Sequence, residues 1–150
     1  MSNTATAEAL QTVRLADLEL LRGTQPGTEM DVRVNFPFAS SFPASSGLEL
    51  DGGHGVVYFE LDPGAELATH TDSPEEIIVC LAGDGVEAWV GDARGTIGAG
   101  DLAVVPAMVP HGFRNTGDET ARFLGFFSDS TTVSEFDAPV EPFGTTVLRT

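Results

Sequence analysis

The stretch Gly64-Ala65-Glu66-Leu67-Ala68-Thr69-His70-Thr71-Asp72-Ser73-Pro74-Glu75-Glu76-Ile77-Ile78-Val79-Cys80-Leu81-Ala82-Gly83 decides how the chain is read. Turn signals bound it, Asp62-Pro63-Gly64 before and Gly83-Asp84-Gly85 after, and Pro74 divides it into two extended halves. In an extended segment residues two apart share a face, so His70 and Asp72 project together. Working outward, further turn clusters stand at Gly52-Gly53, Gly91-Asp92, Gly98-Ala99-Gly100-Asp101 and Gly117-Asp118. Between them lie runs rich in β-branched and aromatic residues: Val56 to Leu61, Glu76 to Ala82, Val86 to Val90, Leu102 to Val105 and Ala121 to Phe127. Many short strands joined by glycine-rich turns predict an all-β sandwich or barrel, whose closure disposes of exposed edges. Only Thr6 to Arg22, with Leu10, Val13, Leu15, Leu18 and Leu21, carries helical spacing, and it predicts a short N-terminal helix or arm.

The chain has 150 residues, enough for one domain over 1–150, with no repeat and no linker dividing it. Its 23 acidic and 7 basic residues give a formal charge of −16, which repels phosphate backbones and anionic lipid, so neither nucleic acid nor membrane is an expected partner. All seven basic residues are arginine, which excludes lysine Schiff-base, phosphate-loop and kinase chemistry. Cys80 stands alone, so neither a disulfide framework nor a thiolate zinc cluster is expected, and the chain reads as cytoplasmic. No apolar run is long enough to span a bilayer.

A second stretch, Gly100-Asp101-Leu102-Ala103-Val104-Val105-Pro106-Ala107-Met108-Val109-Pro110-His111-Gly112-Phe113-Arg114-Asn115, places a strand, two prolines and a histidine in order. Together the two stretches resemble the cupin family. Gly64, His70, Glu76 and Gly83 fit its first motif, and Gly100, Pro106, His111 and Asn115 fit its second. The resemblance spans about Val56 to Phe127. It departs at Asp72, where the family usually has a second histidine, and at Met108, which replaces a glycine. The resemblance implies a double-sheet jelly-roll barrel, here over about residues 30–136 behind an arm of 1–29, and a homodimer. The apolar content of Ile77 to Leu81 on both faces is consistent with such pairing.

By the same resemblance His70, Glu76 and His111 bind a divalent transition metal, with Asp72 either a fourth ligand or an acceptor behind the ligands. Two imidazoles with carboxylates and no thiolate suit Fe, Mn, Ni or Zn. Glu75 competes with Glu76 for the ligand role, and even spacing from His70 favours Glu76. Glu76 or Asp72 is the expected proton carrier. Five further residues are candidates for substrate contact: His54 at a barrel rim, Cys80, Met108, Phe113 and Phe126. The expected activity is that of a metal-dependent oxygenase or isomerase/cyclase on a small, apolar or aromatic organic molecule. Two alternatives stand beside it: a module that binds metal or metabolite without turnover, and a 2-oxoglutarate-dependent oxygenase built on His70, Asp72, His111 and Arg122.

Overall fold

The computed structural model of the protein describes residues 10–150. Its strands are β1 (Leu21–Thr24), β2 (Asp31–Asn35), β3 (Gly55–Leu61), β4 (Glu66–Asp72), β5 (Glu76–Ala82), β6 (Val86–Val90), β7 (Ala93–Ile97), β8 (Leu102–Val105), β9 (His111–Asn115), β10 (Ala121–Phe127), β11 (Val133–Val140) and β12 (Thr145–Arg149). Two six-stranded sheets result, one in the order β1-β2-β3-β10-β5-β8 and the other β12-β11-β4-β9-β6-β7. The fold is the double-sheet jelly roll that the sequence predicts. Among the described residues no helix is long and apolar enough to cross a membrane.

Side-chain alternation turns each strand into a wall with one dry face. On β10 the inward positions are Ala121, Phe123, Gly125 and Phe127, and Arg122, Leu124 and Phe126 face outward. On β3 Val57, Phe59 and Leu61 are buried, and on β5 Glu76, Ile78 and Cys80 are. The two inner faces meet at an aromatic cluster: Phe59 stacks on Phe123 with centroids 4.6 Å apart, and Phe113 from the opposite sheet lies 5.5 Å from Phe123 and 6.0 Å from Phe59. Such ring pairs add about 0.5–1.5 kcal/mol each beyond their buried area. Gly64 and Gly100, which open the two motifs, have φ of +84° and +90°, a left-handed backbone that glycine alone adopts without strain.

Outside the motifs, the sheets extend past the 30–136 span read from the sequence. β1 pairs with β2 over Leu21–Thr24, and β12 pairs with β11 out to Arg149. Part of the expected Thr6 to Arg22 helix, residues 6–9, lies outside the described residues. From Leu10 onward the helix does not form. One 3₁₀ turn over Leu15–Asp17 is followed directly by β1. An isolated helix of that length is marginal in water, and docking on the sheet wins: Asn35 Nδ2 donates to the Glu19 carbonyl at 2.8 Å. The loop between β2 and β3 carries Phe42, which is buried against Phe36 and Phe143 at 4.7 and 5.8 Å and closes one end of the barrel.

Candidate metal centre

His70 and His111 are direct cross-strand partners on β4 and β9, so their rings stand side by side with centroids 4.3 Å apart. Asp72 follows two residues along β4 and projects from the same face. His70 Nδ1 lies 2.8 Å from the Ala68 carbonyl oxygen, and His111 Nδ1 lies 2.9 Å from that of Val109. A carbonyl only accepts, so each Nδ1 carries the proton and each Nε2 turns toward the site. Asp72 Oδ2 lies 3.1 Å from His111 Nε2 and 3.5 Å from His70 Nε2. One ligand atom from each of the three residues falls within 4.8 Å of the others, and all three side chains are buried.

Glu76 reaches the same place from β5 in the opposite sheet, with Oε1 3.7 Å from His111 Nε2. It stands beside the tight group of three rather than within it. Its inward path is open because Gly125 lies beneath, where a Cβ would collide with Glu76 Oε2. Glu75, the competing carboxylate, is exposed and only its backbone oxygen is engaged, by Ser128 N–H. Burial, and after it the Asp72 charge, push the Glu76 carboxyl well above the usual carboxylate range. For Asp72, burial alone acts upward, but hydrogen bonds from His111 and His70 and the charge of those rings outweigh it and hold the carboxyl well below its ordinary value.

Around this centre the structure supplies what a divalent metal needs. Two imidazole Nε2 atoms and a carboxylate oxygen converge, an arrangement that calls for positive charge at its middle, supplied by protons on the rings, as in the hydrogen bonds to Asp72, or by a metal ion in their place. The donor set, nitrogen and oxygen without thiolate, suits a borderline divalent ion. The site opens on a cavity of about 80 Å³ walled mainly by apolar side chains, among them Phe36, Val57, Phe59, Phe113, Phe127 and Phe136. Among the described residues no arginine lines it.

Of the five substrate-contact candidates, Phe113 is in the wall. Phe126 points outward and is 43% exposed, and its neighbour Phe127 lines the cavity instead. Cys80 faces inward but is packed in the core, its Sγ donating to the Ala82 carbonyl at 3.4 Å. His54 is exposed in the loop before β3. Met108 is also exposed, and it adopts φ +63° at the motif's glycine position, where its N–H donates to the Asp72 carbonyl at 2.9 Å. Arg122 falls on the outward parity of β10, donates to the Tyr58 hydroxyl at 2.7 Å and lies over that ring. It is therefore absent from the cavity where a 2-oxoglutarate carboxylate would need it. Two neighbours of the centre escaped the sequence reading, Ser134 and Phe136, both on β11. Ser134 Oγ donates to Asp72 Oδ1 at 2.5 Å, and Phe136 stacks on His70.

A profile of the cupin domain matches residues 57–127, the span that carries β3 to β10 and every histidine and carboxylate of the centre. The chain carries a cupin domain. Solved structures agree on the fold. A cupin 2 conserved barrel domain protein from Rhodopseudomonas palustris superposes with a TM-score of 0.60 at 21% identity, over 75% of this chain and 72% of that one. A sugar phosphate isomerase from a cupin superfamily, from Silicibacter pomeroyi, gives 0.62 at 19% identity over 93% and 92%. The polyketide cyclase RemF from Streptomyces resistomycificus gives 0.59 at 21% identity over 79% of each. No curated protein sequence matches the chain.

Proposed function

We propose that this cupin is a metal-dependent enzyme acting on a small, apolar or aromatic organic molecule, as an oxygenase or an isomerase/cyclase. The observation that carries the reading is a buried His–Asp–His centre opening on an apolar cavity whose wall holds no cation. His70, Asp72 and His111, with Glu76 beside them as a further candidate ligand, are the residues that would hold the metal, one of Fe, Mn, Ni or Zn. When bound, such an ion supplies Lewis acidity or redox chemistry at the head of the cavity. A phosphorylated substrate needs arginine or lysine partners, and this wall offers none, which favours a neutral or enolisable ring system over a sugar phosphate.

The chain's own residues divide the remaining work. Glu76, buried at the cavity head beside the centre, is the group placed to give a proton to, or take one from, a seated molecule. Phe113 and Phe127 orient a flat apolar body, and Phe42 with Phe36 and Phe143 keeps water from the far end. The test is a panel of diketones, flavonols and keto acids offered to metal-loaded protein, with dioxygen uptake and product formation followed separately. Uptake with product identifies an oxygenase, and product without uptake an isomerase or cyclase. Bound metal with neither outcome across the panel replaces this reading with that of a non-catalytic binding module.

The partner expected outside the barrel is a second copy of the chain, seated on the outward face of β10, β5 and β8. Ile77, Leu81, Leu102, Val104 and Phe126 are exposed there, aligned across the strands as Phe126–Ile77–Val104. The outward positions of these strands from Ile77 to Leu81, at Leu102 and Val104, and at Leu124 and Phe126 carry no charge. On a chain of formal charge −16 this is a face where two copies meet without like-charge repulsion. Light scattering at micromolar concentration should give twice the chain mass and fall to one chain for Val104→Glu. A monomeric wild type overturns the pairing.

A further inference from the structure

We infer that Ser134 is a positioning residue that assigns the two oxygens of Asp72 to different tasks, leaving Oδ2 alone to meet the metal. The inference rests on the metal reading above and concerns a strand outside both sequence motifs and outside residues 57–127.

β11 pairs with β4 at Ser134 opposite Asp72, Glu135 opposite Thr71 and Phe136 opposite His70. Ser134 and Phe136 are two apart and share a face, so each stands directly across from one ligand of the same neighbouring strand. Phe136 lies nearly parallel to the His70 ring, 15° between planes and 4.6 Å between centroids, so the imidazole cannot turn without losing that stack. Ser134 has a single hydroxyl proton, and its Oγ lies 2.5 Å from Asp72 Oδ1. That hydrogen bond to a buried carboxylate is charge-assisted and among the stronger kinds. With Oδ1 held, the carboxylate plane is fixed, and Oδ2 is the oxygen that faces both Nε2 atoms. The centre then presents one Asp72 oxygen beside the two Nε2 atoms. Without the Ser134 hydroxyl both oxygens become available, and a bound ion would be open to a two-oxygen grip.

Co(II) binding separates this role from simple packing. Ser134→Thr and Ser134→Val have matched shape and differ in the hydroxyl, so their comparison stands even where Ser134→Ala fails to fold. Each variant is titrated with Co(II) against a competing chelator while the visible spectrum is recorded. The wild type and Ser134→Thr should bind with similar affinity and spectra. Ser134→Val and Ser134→Ala should bind about 10-fold more weakly, with lower visible absorption as the carboxylate grips through both oxygens and the coordination number rises. If the wild type binds Co(II) and Ser134→Val matches Ser134→Thr in affinity and spectrum, the positioning role is overturned and the metal centre stands. If the wild type itself binds no Co(II), both fall together.

Discussion

Replacing Gly125 by alanine tests whether Glu76 lies where the structure puts it. Gly125 faces inward on β10 at an ordinary φ, so the added methyl has no backbone penalty and the cost is steric. Its Cβ would overlap Glu76 Oε2, come within 3.2 Å of Glu76 Cδ and within 2.8 Å of Val57 Cγ1. Overpacking of this kind costs about 1–3 kcal/mol, and a smaller unfolded-state entropy returns about 0.4–1 kcal/mol. A net loss of about 1–2 kcal/mol is expected for Gly125→Ala. In the Glu76→Ala background the carboxyl is gone and only the Val57 contact remains, so the same substitution should cost clearly less, a coupling within the ~0.5–3 kcal/mol seen for touching residues. Urea denaturation of the four proteins, in chelator and at one pH, measures the cycle. Glu75→Ala serves as the control and should show no coupling to position 125. Additivity of Gly125→Ala and Glu76→Ala within about 0.3–0.5 kcal/mol would refute the placement of Glu76.

The depressed Asp72 carboxyl contributes stability above its unfolded value near 4, and that contribution is lost as pH falls toward the lower folded value. Metal-free Asp72→Asn should therefore show a flatter fall in stability on acidification than the wild type, and parallel curves from denaturant titrations count against the pairing. Burial raises the Cys80 thiol, so a disulfide thiol reagent at neutral pH should leave native protein unlabelled and label it fully once unfolded. Rapid native labelling would place that sulfur elsewhere. Met108 holds a left-handed backbone that costs a non-glycine residue about 1–2 kcal/mol. Met108→Gly should gain somewhat less than this, since glycine gives back about 0.5–1 kcal/mol in entropy, and a lowered melting temperature would contradict it.

Much of the fold was legible because the middle of the chain punctuates itself. Asp62-Pro63-Gly64, Gly83-Asp84-Gly85 and Gly117-Asp118 bracket runs that became β4, β5 and β10. The His70–Asp72 pairing on one face followed from strand periodicity alone. Parity on β10 was not legible, because apolar side chains occupy both faces there: Leu124 and Phe126 cover an outer patch, and Phe123 and Phe127 build the interior. Periodicity could not tell Phe126 from Phe127. β7, Ala-Arg-Gly-Thr-Ile, is a largely exposed edge strand with no buried face to impose an apolar pattern. Ser134 and Phe136 escaped for a different reason. Their segment, Val133 to Val140, carries two acids and a proline and shows no apolar alternation, and its role arises from pairing with a strand some sixty residues earlier. Long-range register of that kind leaves no local trace.

Elemental analysis of purified wild-type protein and of His111→Ala, each loaded with excess Fe, Mn, Ni or Zn and then freed of loose metal, bears most directly on the centre. One tightly held ion per wild-type chain and almost none in His111→Ala, with both proteins folded, is the predicted result. Equal metal in the two proteins, or none in either, would contradict a cation gathered by His70, Asp72 and His111 at the head of the barrel.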